Sequence, residues 1–223
     1  MVRGDAAWSF TVMFIQMWEW KSKQLNNYEK YKPDFQSFPA AEGYVMPYGD
    51  SPTDNENVGE LVYLDIINKA KKYVYITTPY LVIDNEMITA LGFAAKSGVD
   101  VKIVVPHIAD KWYVNYAGWN YYKELIKLGV QIYEYMPGFI HAKNFVSDDE
   151  IATVGSINLD YRSLYLHFEC GTFLYKVPAI SRIKSDFNDI LGKCRRITLK
   201  DCQQRPLIKK IIGGLLRMIA PLL

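Results

Sequence analysis

Phe139-Ile140-His141-Ala142-Lys143-Asn144-Phe145-Val146-Ser147-Asp148 decides how this chain is read, together with Gly155-Ser156-Ile157-Asn158 and, further on, Glu169. Apolar and polar residues alternate around His141 and Lys143. As a strand, the segment puts these two side chains on one face, two residues apart. A lysine ammonium in that place neutralises a phosphate oxygen. The neighbouring imidazole then attacks phosphorus or protonates a leaving oxygen. For His141 alone, a satisfied structural histidine beside a surface lysine is the simpler reading. Asp148, Asn158 and Glu169, further polar residues in the same string, weigh against it.

Around this stretch runs a β/α rhythm. Residues 73–78 (Tyr-Val-Tyr-Ile-Thr-Thr) are β-branched and aromatic and read as a strand, as do 101–105, 131–135, 151–154 and 170–175. Residues 56–70, 86–97, 114–128 and 180–194 read as helices, two of them stopped by Gly98 and Gly129. The alternation predicts an α/β fold: a mixed, largely parallel sheet flanked by helices on both faces. The N-terminus is divided into a helix at 6–23, with Trp8 and Trp18 near one stripe, and a polar linker at 21–41 containing Pro33 and Pro39. The expected organisation is an N-terminal helix and linker (1–41), a catalytic domain (42–198) and an amphipathic tail (199–223).

The string H-x-K-x4-D, followed by G-S-x-N and a carboxylate, resembles the signature of the phospholipase D superfamily, whose members transfer or cleave phosphodiesters through a phosphohistidine. The flanks are similar to bacterial cardiolipin synthases over nearly the whole chain: Thr78-Pro79-Tyr80, Val99-Asp100-Val101-Lys102-Ile103-Val104-Val105-Pro106, Leu128 through Tyr135 into Gly138, and Gly155 through Leu164 to His167-Phe168-Glu169. The resemblance implies phosphatidyl transfer between phosphatidylglycerol molecules, giving cardiolipin and glycerol. His141 and Lys143 are the implied catalytic pair. Lys143, Ser156 and Asn158 would contact the phosphate, and Glu169 would orient the imidazole. Asp148 joins the motif, more as a carboxylate that ties the loop than as a proton carrier. Family sites combine two such motifs, and this chain carries one. Neither His107 nor His167 has a lysine two residues on. The expected partner is therefore a preceding half or a second copy, and whether His141 is nucleophile or acid stays open. Alternatives are a one-motif phosphodiesterase or nuclease acting as a homodimer, and a catalytically incomplete membrane-associated fragment.

Composition narrows the rest. A formal charge of +2 over 223 residues gives no electrostatic case for nucleic acid. Cys170, Cys194 and Cys202 form no C-x-x-C pair and suit a reducing compartment. No cofactor and no metal site are expected, since no ligand spacing joins the histidines to other donors. Tyr80, just past a strand end, is a candidate substrate contact or a buried aromatic. Ser156 is a phosphate or histidine partner, or else a turn residue. No apolar run is long enough to span a bilayer. The tail instead combines Leu207, Ile208, Ile211, Ile212, Leu215, Leu216 and Ile219 with Lys209, Lys210 and Arg217. It suits lying on an anionic membrane surface, or packing on protein.

Overall fold

The computed structural model describes residues 1–32 and 42–222, so part of the expected linker, with Pro33 and Pro39, lies outside the described residues. Helix α1 (Asp5–Ser22) comes first and β1 (Tyr44–Asp50) forms one edge of the sheet. Then follow α2 (Val58–Lys69), β2 (Tyr73–Thr77), β3 (Leu81–Val82), α3 (Asn85–Lys96), β4 (Asp100–Pro106) and α4 (Trp112–Leu128). The motif region contains β5 (Gln131–Tyr135), β6 (Asn144–Ser147), β7 (Ile151–Gly155), β8 (Leu159–Asp160) and α5 (Tyr161–Tyr165). The chain continues with β9 (Glu169–Tyr175), α6 (Ala179–Leu191), β10 (Cys194–Ile197), α7 (Leu199–Gln204) and α8 (Leu207–Met218).

Eight strands form one sheet in the order β1-β9-β7-β6-β2-β4-β5-β10, and β3 pairs with β8 in a separate parallel ribbon. The mixed α/β architecture matches the expectation, but the sheet is not largely parallel. Among the described residues, two of its seven pairings are parallel (β2 with β4, β4 with β5) and five are antiparallel. The reason is connection length. Parallel neighbours need a crossover, and α3 and α4 provide one each. Only the turn 148–150 joins β6 to β7, with Asp148 and Asp149 both at positive φ (54° and 62°), which is the hairpin geometry. The expected helix 180–194 ends at Leu191, and its last expected residue, Cys194, instead opens the strand β10, which sequence pattern does not predict. Its sequence, Cys-Arg-Arg-Ile, carries no apolar alternation and is held by pairing with β5.

Helices cover both faces. Val74 and Ile76 of β2 join Val101, Ile103 and Val105 of β4 in a core sealed by Ile66 of α2, Leu91 of α3 and Leu125 of α4. Tyr73, Val146, Ala152 and Leu174 point the other way, against Ile180 of α6. This strict in/out alternation fixes the register, because a one-residue slip would exchange the two faces. Since β6 runs antiparallel to β2, with Asn144 opposite Thr77, the residues entering β6 lie at the C-terminal ends of the parallel strands. Ligand sites in open α/β sheets occupy that end.

Candidate active site

His141 and Lys143 precede β6 rather than sitting within it. The expected strand over 139–146 starts only at Asn144, because residues 139–143 run past the last paired residues of β2 and β7. One link remains: the Gly155 amide donates to the Lys143 carbonyl at 3.2 Å. Lys143 is 9% exposed, and its ammonium donates to the His141 carbonyl at 2.6 Å. This bond pulls the lysine under the histidine. The imidazole is open to solvent and packs near Phe139, with ring centroids 5.3 Å apart.

The second wall is the loop after β7. Gly155 is required there, since a Cβ would run into the Cys170 carbonyl of β9. Tyr63 of α2 fixes the next turn by stacking on Phe145 (4.1 Å) and donating its hydroxyl to the Ile157 carbonyl at 2.7 Å. The Leu159 amide donates to Thr78 Oγ1 at 3.1 Å, so the loops after β2 and β7 are stitched together. Asn158 is thereby aimed into a cleft of about 300 Å³ that also receives His141, Tyr80, Lys111, His167 and Glu169.

Burial lowers the pKa of His141 below that of an ordinary histidine, and the Lys143 charge lowers it further, against a smaller opposing pull from Asp110. Both effects favour the uncharged imidazole, whose lone pair is available to an electrophile. Burial also lowers the Lys143 pKa, opposed by the carboxylates of Glu169 and Asp160.

The expected members are not all in one place. Glu169 makes no hydrogen bond with His141 here. One carboxylate oxygen accepts from the Ser156 hydroxyl, the other accepts from Ser163 Oγ at 3.0 Å and lies 3.3 Å from His167 Nδ1. Ser156 is thus tied to Glu169 and to the Cys170 amide (3.0 Å). Asn158 Nδ2 donates to Ser163 Oγ at 2.9 Å, and its Oδ1 is buried without a partner among the described residues. An amide nitrogen has two hydrogens, so one donor remains for a ligand. Tyr80 reaches the cleft, its hydroxyl donating to Asp110 at 2.6 Å. Asp148 stands at the far end of β6, about 13 Å from the His141 end at ~3.3 Å per strand residue. There it accepts the amides of Lys71, Lys72 and Tyr73 at 2.7, 2.9 and 2.9 Å.

The comparisons now bear on this geometry. The family described as "Cardiolipin synthase, PLD-like domain" matches residues 63–191, more than half of the chain. The chain belongs to this family. A cardiolipin synthase of Alkalihalophilus pseudofirmus is 33% identical over 222 residues, covering all of this chain and 44% of that protein. The chain spans about half the length of the curated relatives it matches. Two solved structures share the fold. One is Nuc of Salmonella typhimurium, a phospholipase D family member (TM-score 0.58, 21% identity, 70% of this chain and 99% of that one). The other is phosphatidylserine synthase of Haemophilus influenzae (TM-score 0.66, 14% identity, 80% of this chain and 47% of that one).

Within this PLD-like domain, Lys111 is a cleft residue that sequence reasoning passed over, while Asp160 and Arg162, expected as a local ion pair that shapes the loop, take other partners. Lys111 enters from the N-terminus of α4, its ammonium 5.5 Å from the Tyr80 ring centroid. Asp160 caps α5 by accepting the Ser163 amide at 2.8 Å. Arg162 and His167 lie 3.4 Å apart on the rim. The position of Lys111, five residues past Pro106 at the end of β4, is the signal that could have found it.

Proposed function

We propose that this domain carries one half of a two-motif site for phosphatidyl transfer between phosphatidylglycerol molecules, forming cardiolipin. The observation that carries the reading is an imidazole without a hydrogen-bond partner among the described residues, set over a buried lysine and opening on a cleft that also presents Asn158 and Lys111. In the first step an imidazole nitrogen forms a P–N bond, and the bond from phosphorus to the glycerol oxygen breaks. The departing glycerol takes a proton from a general acid. In the second step a hydroxyl of another phosphatidylglycerol attacks phosphorus, the P–N bond breaks, and that hydroxyl proton passes to the group that acted as acid. Lys143 and the free Asn158 hydrogen stabilise charge on the phosphoryl oxygens, the fixed electrostatic help that dominates much phosphoryl chemistry.

The acid or nucleophile in the opposite role comes from a second motif, in a preceding half or a second copy of this chain. Glu169 is engaged with Ser156, Ser163 and His167, so its contribution is to hold the cleft wall and to bear on an imidazole from its open side. The domain works at the surface of an anionic membrane. None of the helices among the described residues is long and apolar enough to cross one, while α8 exposes Leu207, Ile211 and Leu215.

The test is to quench the reaction of the chain, alone and combined with a first-motif half, with phosphatidylglycerol labelled in phosphorus. An acid-labile, base-stable phosphoenzyme that disappears in His141→Ala supports His141 as nucleophile. Labelling retained in His141→Ala puts the nucleophile on the other motif. Absence of any turnover by the combined protein overturns the reading.

A further inference from the structure

Away from the catalytic cleft, α8 is tied to α4 by Lys209, Gly213 and Arg217. Gly213 lies so close to the Tyr116 carbonyl of α4 that a Cβ would collide with it. Arg217 closes the contact with Glu124 at 2.6 Å. The opposite stripe, Leu207, Ile211, Leu215 and Met218, is 72%, 56%, 60% and 80% exposed. An amphipathic helix thus lies flat on the domain with its apolar side facing outward.

At the N-terminal end of this helix is a cavity of about 250 Å³ whose lining includes Lys123, Arg205, Lys209 and Lys210 and no carboxylate. Its floor is aromatic. The Arg205 guanidinium stacks 4.0 Å from the Trp119 ring centroid, and the Lys209 ammonium lies 5.4 Å from that of Tyr116. Glu134 and the Gln203 carbonyl occupy Arg205 and Lys210, at 3.1 and 2.6 Å. Lys123 and Lys209 face no carboxylate within ion-pair distance among the described residues. Four cations around an aromatic floor make a site for an anion. None of its residues lines the catalytic cleft.

We infer that this cavity holds the phosphate headgroup of an anionic phospholipid while the outward stripe of α8 sits among the acyl chains of the same bilayer. A free phosphate would satisfy the cations equally well. The lipid is favoured because the apolar stripe begins at the cavity, at Leu207 and Ile208, so one molecule can meet both surfaces. This adds a headgroup site to the membrane association proposed above and is independent of the phosphohistidine chemistry.

The test uses the full chain and vesicles of phosphatidylcholine with or without phosphatidylglycerol, read by co-sedimentation. Lys123→Gln with Lys209→Gln should weaken binding to phosphatidylglycerol vesicles by about thirtyfold, from roughly fivefold per interfacial cation. The control pair Lys30→Gln with Lys96→Gln, which removes the same charge elsewhere, should cost less than about threefold. Equal losses in the two pairs would reduce the effect to general charge and overturn the site. So would undiminished binding to pure phosphatidylcholine. Ile211→Ser with Leu215→Ser separates the two ideas: if it abolishes binding while the lysine pair does not, the membrane association stands and the headgroup site falls. Inorganic phosphate and glycerol phosphate form the last arm. If either perturbs Trp119 fluorescence, judged against Trp119→Phe, at concentrations where the vesicles do not, the occupant is a soluble anion and the lipid assignment fails.

Discussion

The two ends of β6 are built on opposite plans. At the Asp148 end, one carboxylate accepts three backbone amides, and its neighbour Asp149 accepts from the Tyr73 hydroxyl and from Lys184 at 3.0 and 2.7 Å. Polar groups there find their partners within the chain. At the other end, among the described residues, Lys143 bonds only a backbone carbonyl, the imidazole of His141 makes no hydrogen bond, and Asn158 Oδ1 has no partner. Buried polar groups without partners cost stability, and a fold carries that cost where function requires it. One motif therefore contains both an anchor and, on the function proposed above, a reactive end, and sequence spacing alone does not say which residue belongs to which.

The sharpest way to break the comparison is kinetic. In the complete or complemented enzyme, His141→Ala should lower kcat by about 10⁴-fold or more, the scale on which loss of a nucleophile or its acid-base partner is felt. Lys143→Ala should cost about 10²–10³-fold, as for removal of one electrostatic donor to a charged transition state. Both variants should keep a near-normal melting temperature, since neither side chain holds strands together. If the loss of turnover came with unfolding, the reactive end would be structural after all.

How much of this was legible beforehand follows from the physics of each element. The strands 73–77 and 100–106 announced themselves because both their faces are largely buried in a packed α/β core, which demands β-branched and aromatic residues, and 131–135 because buried and half-buried positions alternate along it. Antiparallel pairing did not show, because it depends on the three-residue turn at Asp148–Glu150 and on the distant docking of β1 and β9 rather than on composition. Within the site, His141 and Lys143 were visible as a spacing, and the structure brings them together. The partners of Glu169 were not visible: Ser156 follows β7, Ser163 lies in α5 and His167 follows it, and only the fold brings all three to one carboxylate. The α8 surface was legible as a pattern, but its seat on α4 depends on Gly213, which the hydrophobic stripe alone does not mark.

At the anchor end the expected effect is on stability. Asp148→Ala strands three amides that now share one charged acceptor, and should cost about 2–3 kcal/mol at the usual worth of hydrogen bonds to a charged group. Urea unfolding measures this. The folded fraction should retain kcat within a fewfold of the parent, because about 13 Å of strand separates the two ends. A collapse in kcat with unchanged stability would move Asp148 into the reactive group and erase the contrast.

The smallest effect concerns a buried network that braces α5 behind the cleft. Tyr165 hydroxyl meets Glu60 at 2.8 Å and also contacts Asp84, joining α5 to α2 and to the N-terminus of α3. A phenol has one hydrogen and cannot serve two carboxylates, so a proton on Glu60 completes the set. Burial is the main reason the Glu60 pKa is pushed up to about 7, with hydrogen bonding to Asp84 adding to it. A carboxyl whose folded pKa lies above its unfolded value stabilises fully below about 4.5. That contribution is lost as pH rises toward and through 7. Stability measured by urea at pH 5 and pH 8 should therefore fall more steeply in the parent than in Glu60→Gln, which keeps a hydrogen-bonding group that does not titrate. The variant should also leave the pH profile of kcat in place, since Glu60 touches neither His141 nor Lys143. Parallel stability curves for the two proteins would show that Glu60 titrates as an ordinary carboxylate, and that the brace behind the reactive end carries no shared proton.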